Sequence, residues 1–403
     1  MTQISLDSNF SLPYHNYLSN SCDIKLYQTT PESISINPQF ESLKDWMVSY
    51  IGSATAELNG LTQREISAVR DENRNAIIPE LSFEIDKRHL YLSVKGCGAY
   101  QDMFFGDKLT VNKLSNVCRT KELQSRISQL STASGIIMAE SWMGESPYGA
   151  QGYTNGYDEL EFSKIANKDS INGAFICPAI ATIQLSKQVE GTARNFFWFR
   201  TYKNHFYQVL RLVPSNIRLY FESDNIIANP NSIFKIFGIN SLQSVEEFEI
   251  NFIKSGIALL TLFTRSAKVQ GSEVTGICYQ DVWLDKDCVV APDGTIYFAD
   301  IEGFIWKKVS LNDYGELQIK EWQKLVYEFL YALVKIDSYR HHLENRIINW
   351  SKQREELAIL FYEALNKDFF TYSENLNNNL TIIIESKDLP SIEIPIIEKV
   401  DII

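Results

Sequence analysis

The chain has 403 residues, 45% of them hydrophobic and 22% charged, ordinary values for a globular protein and far from those of a disordered one. Such a length accommodates one large two-lobed unit or two medium domains. A formal net charge of −12 argues against broad non-specific binding to nucleic acid or to an anionic membrane, while leaving room for a local basic cleft.

The opening stretch, MTQISLDSNFSLPYHNY, has no positive flank followed by an apolar core, so it does not read as a secretory signal. The most apolar run, Ile257 to Phe263, is too short to span a bilayer, and no membrane partner is expected. Six cysteines, Cys22, Cys97, Cys118, Cys177, Cys278 and Cys288, show no CxxC spacing and no histidine placed to complete a zinc site. Cys278 and Cys288 read as small buried hydrophobes, and a reduced, cytoplasmic setting is expected.

Residues 1–36 are polar, rich in Ser, Asn and Tyr, and are predicted to form an arm packed on the body. Leu81, Phe83 and Ile85 alternate, Asp86-Lys87-Arg88 breaks the run, and Leu90, Leu92 and Val94 alternate again. That pattern predicts a β-hairpin with one apolar face, with Tyr91, Ser93 and Lys95 on the other. Residues 120–172 read as mainly helical, interrupted by the Gly-rich stretch 144–157. Phe175 to Gln184 and Phe206 to Val213 are predicted strands that complete a small sheet, and Asn225 to Asn240 has the composition of a connecting loop.

Ser244-Val245-Glu246-Glu247 is a capping-box signature, and Val245, Phe248, Phe252, Leu259 and Phe263 recur at helical spacing, so a long helix follows. Two strands then bracket a turn at Pro292-Asp293-Gly294. Two more helical stripes follow, Trp322, Leu325, Phe329, Leu333 and Ile336, then Leu357, Leu360, Phe361 and Leu365. A strand-like run at Thr381 to Ile384 lies in an Asn-rich tail. The adjacent His341 and His342 point in different directions on a helix and read as surface residues, not as a metal pair.

The chemistry concentrates in residues 276–303, GICYQDVWLDKDCVVAPDGTIYFADIEG. A long apolar helix leads to an acid on a loop, further acids, an aliphatic strand, a Gly turn, a second strand, and an acid at its end followed by Gly. Phosphoryl and nucleotidyl transfer need one carboxylate beside the attacking hydroxyl and others to hold Mg²⁺ against phosphates. A β-hairpin with solvated Asp residues at its turns is the plainer alternative. The segment resembles the catalytic loop and Asp-Phe-Gly region of protein kinases and aminoglycoside phosphotransferases. That resemblance makes Asp281 the catalytic aspartate and Asp300 the metal-binding one, with a separation one residue longer than in typical kinases. Tyr279-Gln280 stands where the family has His-Arg or His-Gly, and the metal-binding Asn is missing, so Asp287 or Asp285 must substitute, with Glu302 assisting.

A basic constellation precedes it. Leu210-Arg211-Leu212-Val213-Pro214-Ser215-Asn216-Ile217-Arg218 sets two arginines around a Pro-Ser bend, and arginine's planar fork suits a polyphosphate. The string resembles the Arg-hydrophobic-x-Pro-Ser-x-hydrophobic-Arg motif of the selenoprotein O family, kinase-like proteins that transfer AMP to protein hydroxyls. Glu161-Phe162 and Gly173-Ala-Phe-Ile-Cys-Pro178 resemble that family's Arg-Glu-Phe helix and Gly-Ile-Pro strand, over about residues 158–222. Lys95 ends its strand before Gly96-x-Gly98; in kinase-like folds a strand lysine binds phosphates and pairs with a helix glutamate. Glu161 is the best partner by resemblance and Glu140 the second; a plain solvated lysine is the alternative.

The resemblances imply an α+β, two-lobed protein-kinase-like fold. Its N-lobe, residues 37–217, would be a small, mostly antiparallel sheet with a helical insert, and its C-lobe, 218–370, mainly helical, with 371–403 a C-terminal extension. They imply an ATP-dependent transferase using Mg²⁺ or Mn²⁺, with Lys95, Glu161, Arg211 and Arg218 binding the nucleotide. The acceptor is a hydroxyl on a protein, peptide or small molecule, and the transferred group is phosphoryl or adenylyl, the arginine pair favouring adenylyl. A pseudokinase that senses nucleotide or binds a protein is the second expectation.

Overall fold

The computed structural model describes residues 18, 23–28, 31–45, 52–53, 65–71, 75–85, 88–95, 159–164, 176–195, 198–219, 230–260, 262, 268–279, 284–301, 304–310, 370–372, 381–386 and 392–395, with further helical positions between Leu325 and Leu343. Helix and strand are both well represented, an α+β composition. The chain divides into two compact units, Met1–Ile165 with Cys177–Asn216, and Ala166–Ile176 with Ile217–Ile403.

The described residues of the first unit contain eight strands: β1 (Asp23–Gln28), β2 (Pro31–Ile36), β3 (Gly52–Ser53), β4 (Glu65–Asp71), β5 (Asn75–Ile85), β6 (Arg88–Lys95), β7 (Ala179–Asn195) and β8 (Trp198–Val213). They form one sheet in the order β2-β7-β8-β6-β5-β4-β1-β3, every pair antiparallel. Residues 23–28 and 31–36, expected within an arm, are thus two strands of the sheet that pair towards its flanks. The predicted hairpin is β5–β6, with Phe83 opposite Leu90 and Ile85 opposite Arg88; Asp86 and Lys87 lie outside the described residues. Pro79 lies where the β5–β6 register shifts between Ile78 and Ser82, a place in a ladder that tolerates a residue without an N–H. Of the strand foreseen at 175–184, residues 179–184 lie in β7, and the strand foreseen at 206–213 lies in β8; the two form a longer hairpin.

One face of the central strands is apolar. Ala76, Ile78, Leu90, Leu92, Val94, Leu210 and Leu212 are all buried, with Ala76 opposite Val94, Ile78 opposite Leu92, and Leu92 opposite Leu212. The other face is buried as well. A helical turn at residues 159–164, here α1, puts Leu160 in one buried cluster with Ala179 and Val209, and Ser163 Oγ accepts the Ala179 N–H at 2.8 Å.

The second unit opens with α2 (Pro230–Ile236) and α3 (Leu242–Leu260). The predicted loop over 225–240 is partly helical: Ile233, Phe234 and Phe237 are buried at helical spacing, a signal masked by the surrounding Asn, Pro and Gly. Gly238, at φ +72°, ends α2; its N–H reaches the Lys235 carbonyl at 3.2 Å and the Ile239 N–H reaches that of Phe234 at 2.7 Å. The cap of α3 lies at Ser241, three residues before the predicted box: Ser244 N donates to Ser241 Oγ at 3.2 Å and Ser241 N to Ser244 Oγ at 3.1 Å. Serine thus replaces glutamate in the reciprocal bond.

Helix α3 buries Val245, Phe248, Phe252 and Leu259 as its periodicity requires, and the helical positions Leu325, Phe329, Leu333 and Ile336 are buried too. Phe252 stacks on Phe329 with centroids 5.3 Å apart, and Phe248 meets Phe234 edge-on at 5.1 Å. Phe329 comes so close to Gly256 that a Cβ there would lie 2.0 Å from its ring. Strands β9 (Lys268–Gln270), β10 (Glu273–Tyr279) and β13 (Phe304–Ser310) form a three-stranded antiparallel sheet that composition did not announce. Between them lie α4 (Leu284–Asp287) and the hairpin β11 (Cys288–Val290) and β12 (Ile296–Phe298). Strands β14 (Phe370–Tyr372), β15 (Thr381–Ser386) and β16 (Ile392–Pro395) form a further antiparallel sheet.

The β11–β12 turn is the predicted Pro292-Asp293-Gly294. Gly294 N donates to the Ala291 carbonyl at 2.9 Å, Thr295 N donates to Asp293 Oδ1 at 2.9 Å, and Gly294 adopts φ +91°. A Cβ on Gly294 would lie 2.1 Å from the Phe248 carbonyl oxygen, whereas one on Gly271 (φ +66°) meets nothing within 4 Å. Gly271→Ala should therefore destabilise by only the left-handed backbone term, about 1–2 kcal/mol. Gly294→Ala should lose a further amount of about 1–3 kcal/mol from the clash. Urea unfolding of the two variants checks the order.

Candidate functional site

On the second face of the first unit's sheet, register places polar side chains in adjacent rows. Asp71 lies opposite Asn75, Asn75 opposite Lys95, and Ser93 opposite Arg211. All five are at most 2% exposed, as is Glu159 on α1. Alternation along β6 sends Lys95 and Ser93 to this face, as expected, and α1 turns it into an interior. Burying a charge is unfavourable unless it is paired, and pairs are found. Lys95 Nζ bonds directly to Glu159 Oε1, and Arg211 Nη2 lies 3.9 Å from Asp71 Oδ2.

The lysine's carboxylate is therefore Glu159, not the expected Glu161. Glu161 is half-exposed and bonds Lys164 Nζ at 2.6 Å, one turn along the same helix. Glu159 shares its helix face with Ser163, four residues on, which bonds β7; Glu161 lies on another face. The residue implied by the resemblance and the observed partner share one helix and differ in the face they occupy. The second choice, Glu140, lies outside the described residues. Asp71, Asn75 and Glu159 went unnoticed in the sequence, although Glu159 is detectable as the residue in phase with Phe162 and Ser163.

In the second unit, Arg218 and Ile176 extend the β11–β12 hairpin on its two sides. Arg218 bridges Val289 in antiparallel fashion, Val290 N donates to the Ile217 carbonyl at 2.9 Å, and Ile176 bridges Phe298 in parallel. The Arg218 side chain is 2% exposed. The two motif arginines thus belong to different units, Arg211 to the first and Arg218 to the second.

Helix α3 seats the hairpin. Ser255 Oγ accepts the Ile296 N–H at 2.9 Å while donating to the Asn251 carbonyl at 2.6 Å, and Asn251 Nδ2 donates to the Asp293 carbonyl at 2.9 Å. At the hairpin's open end, the Asp287 carbonyl accepts two N–H groups, from Ala299 at 2.7 Å and Asp300 at 3.1 Å. The two acids anticipated at adjacent strand ends are therefore backbone neighbours. Asp287 is 7% exposed and Asp300 half-buried. Asp285 lies on α4 and only its backbone is described; Asp281 and Glu302 lie outside the described residues.

The bond from the Asp300 N–H to the Asp287 carbonyl sets the backbones of the two acids side by side; Mg²⁺ binds one or two protein carboxylates and completes its shell with water and phosphate oxygens. Among the described residues no group of three or more His, Cys, Asp or Glu converges on one point, so nothing here resembles an all-protein metal cage. Cys177 and Cys288 are buried. Among the described residues no helix is long and apolar enough to cross a membrane. A scan against known protein families finds no match for the chain, and neither does a comparison with curated proteins.

The Lys95–Glu159 pair yields a stability test. Lys95→Met leaves a buried carboxylate without its counter-charge and should lower stability by about 3–5 kcal/mol. Lys95→Met combined with Glu159→Met removes both charges and should recover most of that loss in urea unfolding.

Proposed function

We propose that the protein is an ATP- and Mg²⁺-dependent transferase of two-lobed, kinase-like architecture, moving a phosphoryl or adenylyl group to a hydroxyl on a protein, peptide or small molecule. The observation that carries this reading is the buried lysine at a strand end, held by a helix glutamate in the first unit. It is supported by the adjacent acids Asp287 and Asp300 at the mouth of a hairpin in the second unit. Each unit carries one half of the groups that such a transfer requires.

In this reading Glu159 keeps Lys95 charged and fixes its direction, so that the ammonium neutralises a phosphate oxygen. Arg211, charge-balanced by Asp71, adds a second cation, and Arg218 a third. Asp287 and Asp300 hold the metal, with Asp285 and Glu302 as auxiliary acids; the bound ion supplies charge neutralisation at the phosphate oxygens. Asp281 orients the acceptor hydroxyl and takes its proton. The sequence motif around Arg211 and Arg218 favours adenylyl as the transferred group, and the setting is cytoplasmic. Tyr279-Gln280, in place of His-Arg, and the absent Asn favour a second reading, a pseudokinase that binds nucleotide without turning it over.

Thermal melting with ATP, with and without Mg²⁺, tests the reading. Ligand at about 100 times its Kd stabilises by about 2.7 kcal/mol, so wild type should melt several degrees higher with ATP and Mg²⁺ together. Asp300→Ala should lose the Mg²⁺-dependent part of the shift. No shift in wild type, or an undiminished one in Asp300→Ala, would refute the metal assignment. Incorporation of α-labelled rather than γ-labelled ATP then identifies adenylyl transfer, and neither label entering an acceptor points to the pseudokinase.

A further inference from the structure

We infer that Glu328 is a positioning residue for Asp287, acting through the backbone of the single helical turn α4; this rests on the reading of Asp287 as a metal ligand. Leu284, the first residue of that turn, donates its N–H to Glu328 Oε2 at 2.9 Å, across 44 positions of sequence. The N–H groups at the start of a helix have no partner within it, and a turn of only four residues has little cooperativity to hold its shape. A carboxylate is a strong acceptor for such a group, and its charge suits a helix N-terminus.

Glu328 is itself well anchored. Its neighbours Leu325 and Phe329 are fully buried, and Phe329 stacks on Phe252 and lies against Gly256 of α3. The Leu284 side chain is also buried, at 1% exposure. The other end of the turn is held by the two N–H groups on the Asp287 carbonyl. The backbone that carries Asp287 is thus pinned at its start by a distant helix and at its end by its own hairpin. Releasing the first pin frees the turn to rotate, and a carboxylate that must meet a small, geometrically demanding ion loses its preset direction.

The test is Mn²⁺ binding in the presence of ATP, read from the electron paramagnetic resonance signal of the free ion, on the full chain. Asp287→Ala should lose the tight Mn²⁺ site. Glu328→Ala should weaken it by about tenfold or more, the usual effect of removing a group that orients a ligand. Glu328→Asp, which keeps the charge and shortens the reach, should also weaken it and remains informative should Glu328→Ala not fold. Glu328→Gln retains an acceptor oxygen at full reach and should recover most of the affinity. Binding of metal-free ATP should be the same in all four, which a merely destabilised protein would not show. Loss of the site in Asp287→Ala with wild-type affinity in Glu328→Ala or Glu328→Asp overturns the inference alone. Wild-type affinity in Asp287→Ala overturns the metal reading and the inference with it.

Discussion

Four charged side chains buried on one face of a β-sheet are the constraint on which the first unit depends. Lys95, Glu159, Arg211 and Asp71 form two pairs beneath a short helix, each group at most 2% exposed. Taking such charges out of water costs several kcal/mol per ion, and well-packed apolar residues of similar volume generally stabilise as well or better. Stability alone therefore does not account for them. Their presence also commits the local architecture: with Lys95 ionised, α1 must deliver Glu159, and Ser163 one turn later ties that helix to β7.

In the second unit the organising element is α3. Its buried stripe of aromatics builds the core, while Asn251, Ser255 and Gly256 replace bulk with hydrogen bonds and close approach. Ser255 accepts the Ile296 N–H that the two-stranded hairpin leaves over, and Gly294 lets the turn settle on the Phe248 carbonyl. The acids at the other end of the hairpin owe their proximity to strand pairing and to one carbonyl shared by two amides.

Local patterns that depend on period and turn chemistry were legible in the sequence. The β5–β6 hairpin, the buried stripe of α3, the stripe from Leu325 to Ile336, and the Pro292-Asp293-Gly294 turn follow from alternation, helical spacing and a glycine at positive φ. What depends on distant partners was not. Nothing near Ser93 and Lys95 shows that a helix more than sixty positions away covers their face, so the strand read as one-sided. Glu159 and Glu161 differ only in which side of α1 they occupy, and only packing decides between them. Asn, Pro and Gly hid α2 because the same residues that mark loops also cap helices. Strands β1, β2 and β13 find their partners through long-range register, which no local pattern encodes.

The buried pair also separates a functional from a structural role for Lys95. The Lys95→Met and Glu159→Met double variant removes both charges, so it is expected to keep the fold while losing the cation proposed to bind phosphate. The most direct measurement is calorimetric titration of ATP with Mg²⁺ into this variant and into wild type. The account predicts binding by wild type and its loss, or a drop of about a hundredfold (about 2.7 kcal/mol), in the folded double variant. Equal affinity in the two proteins, or no binding by wild type, would contradict it.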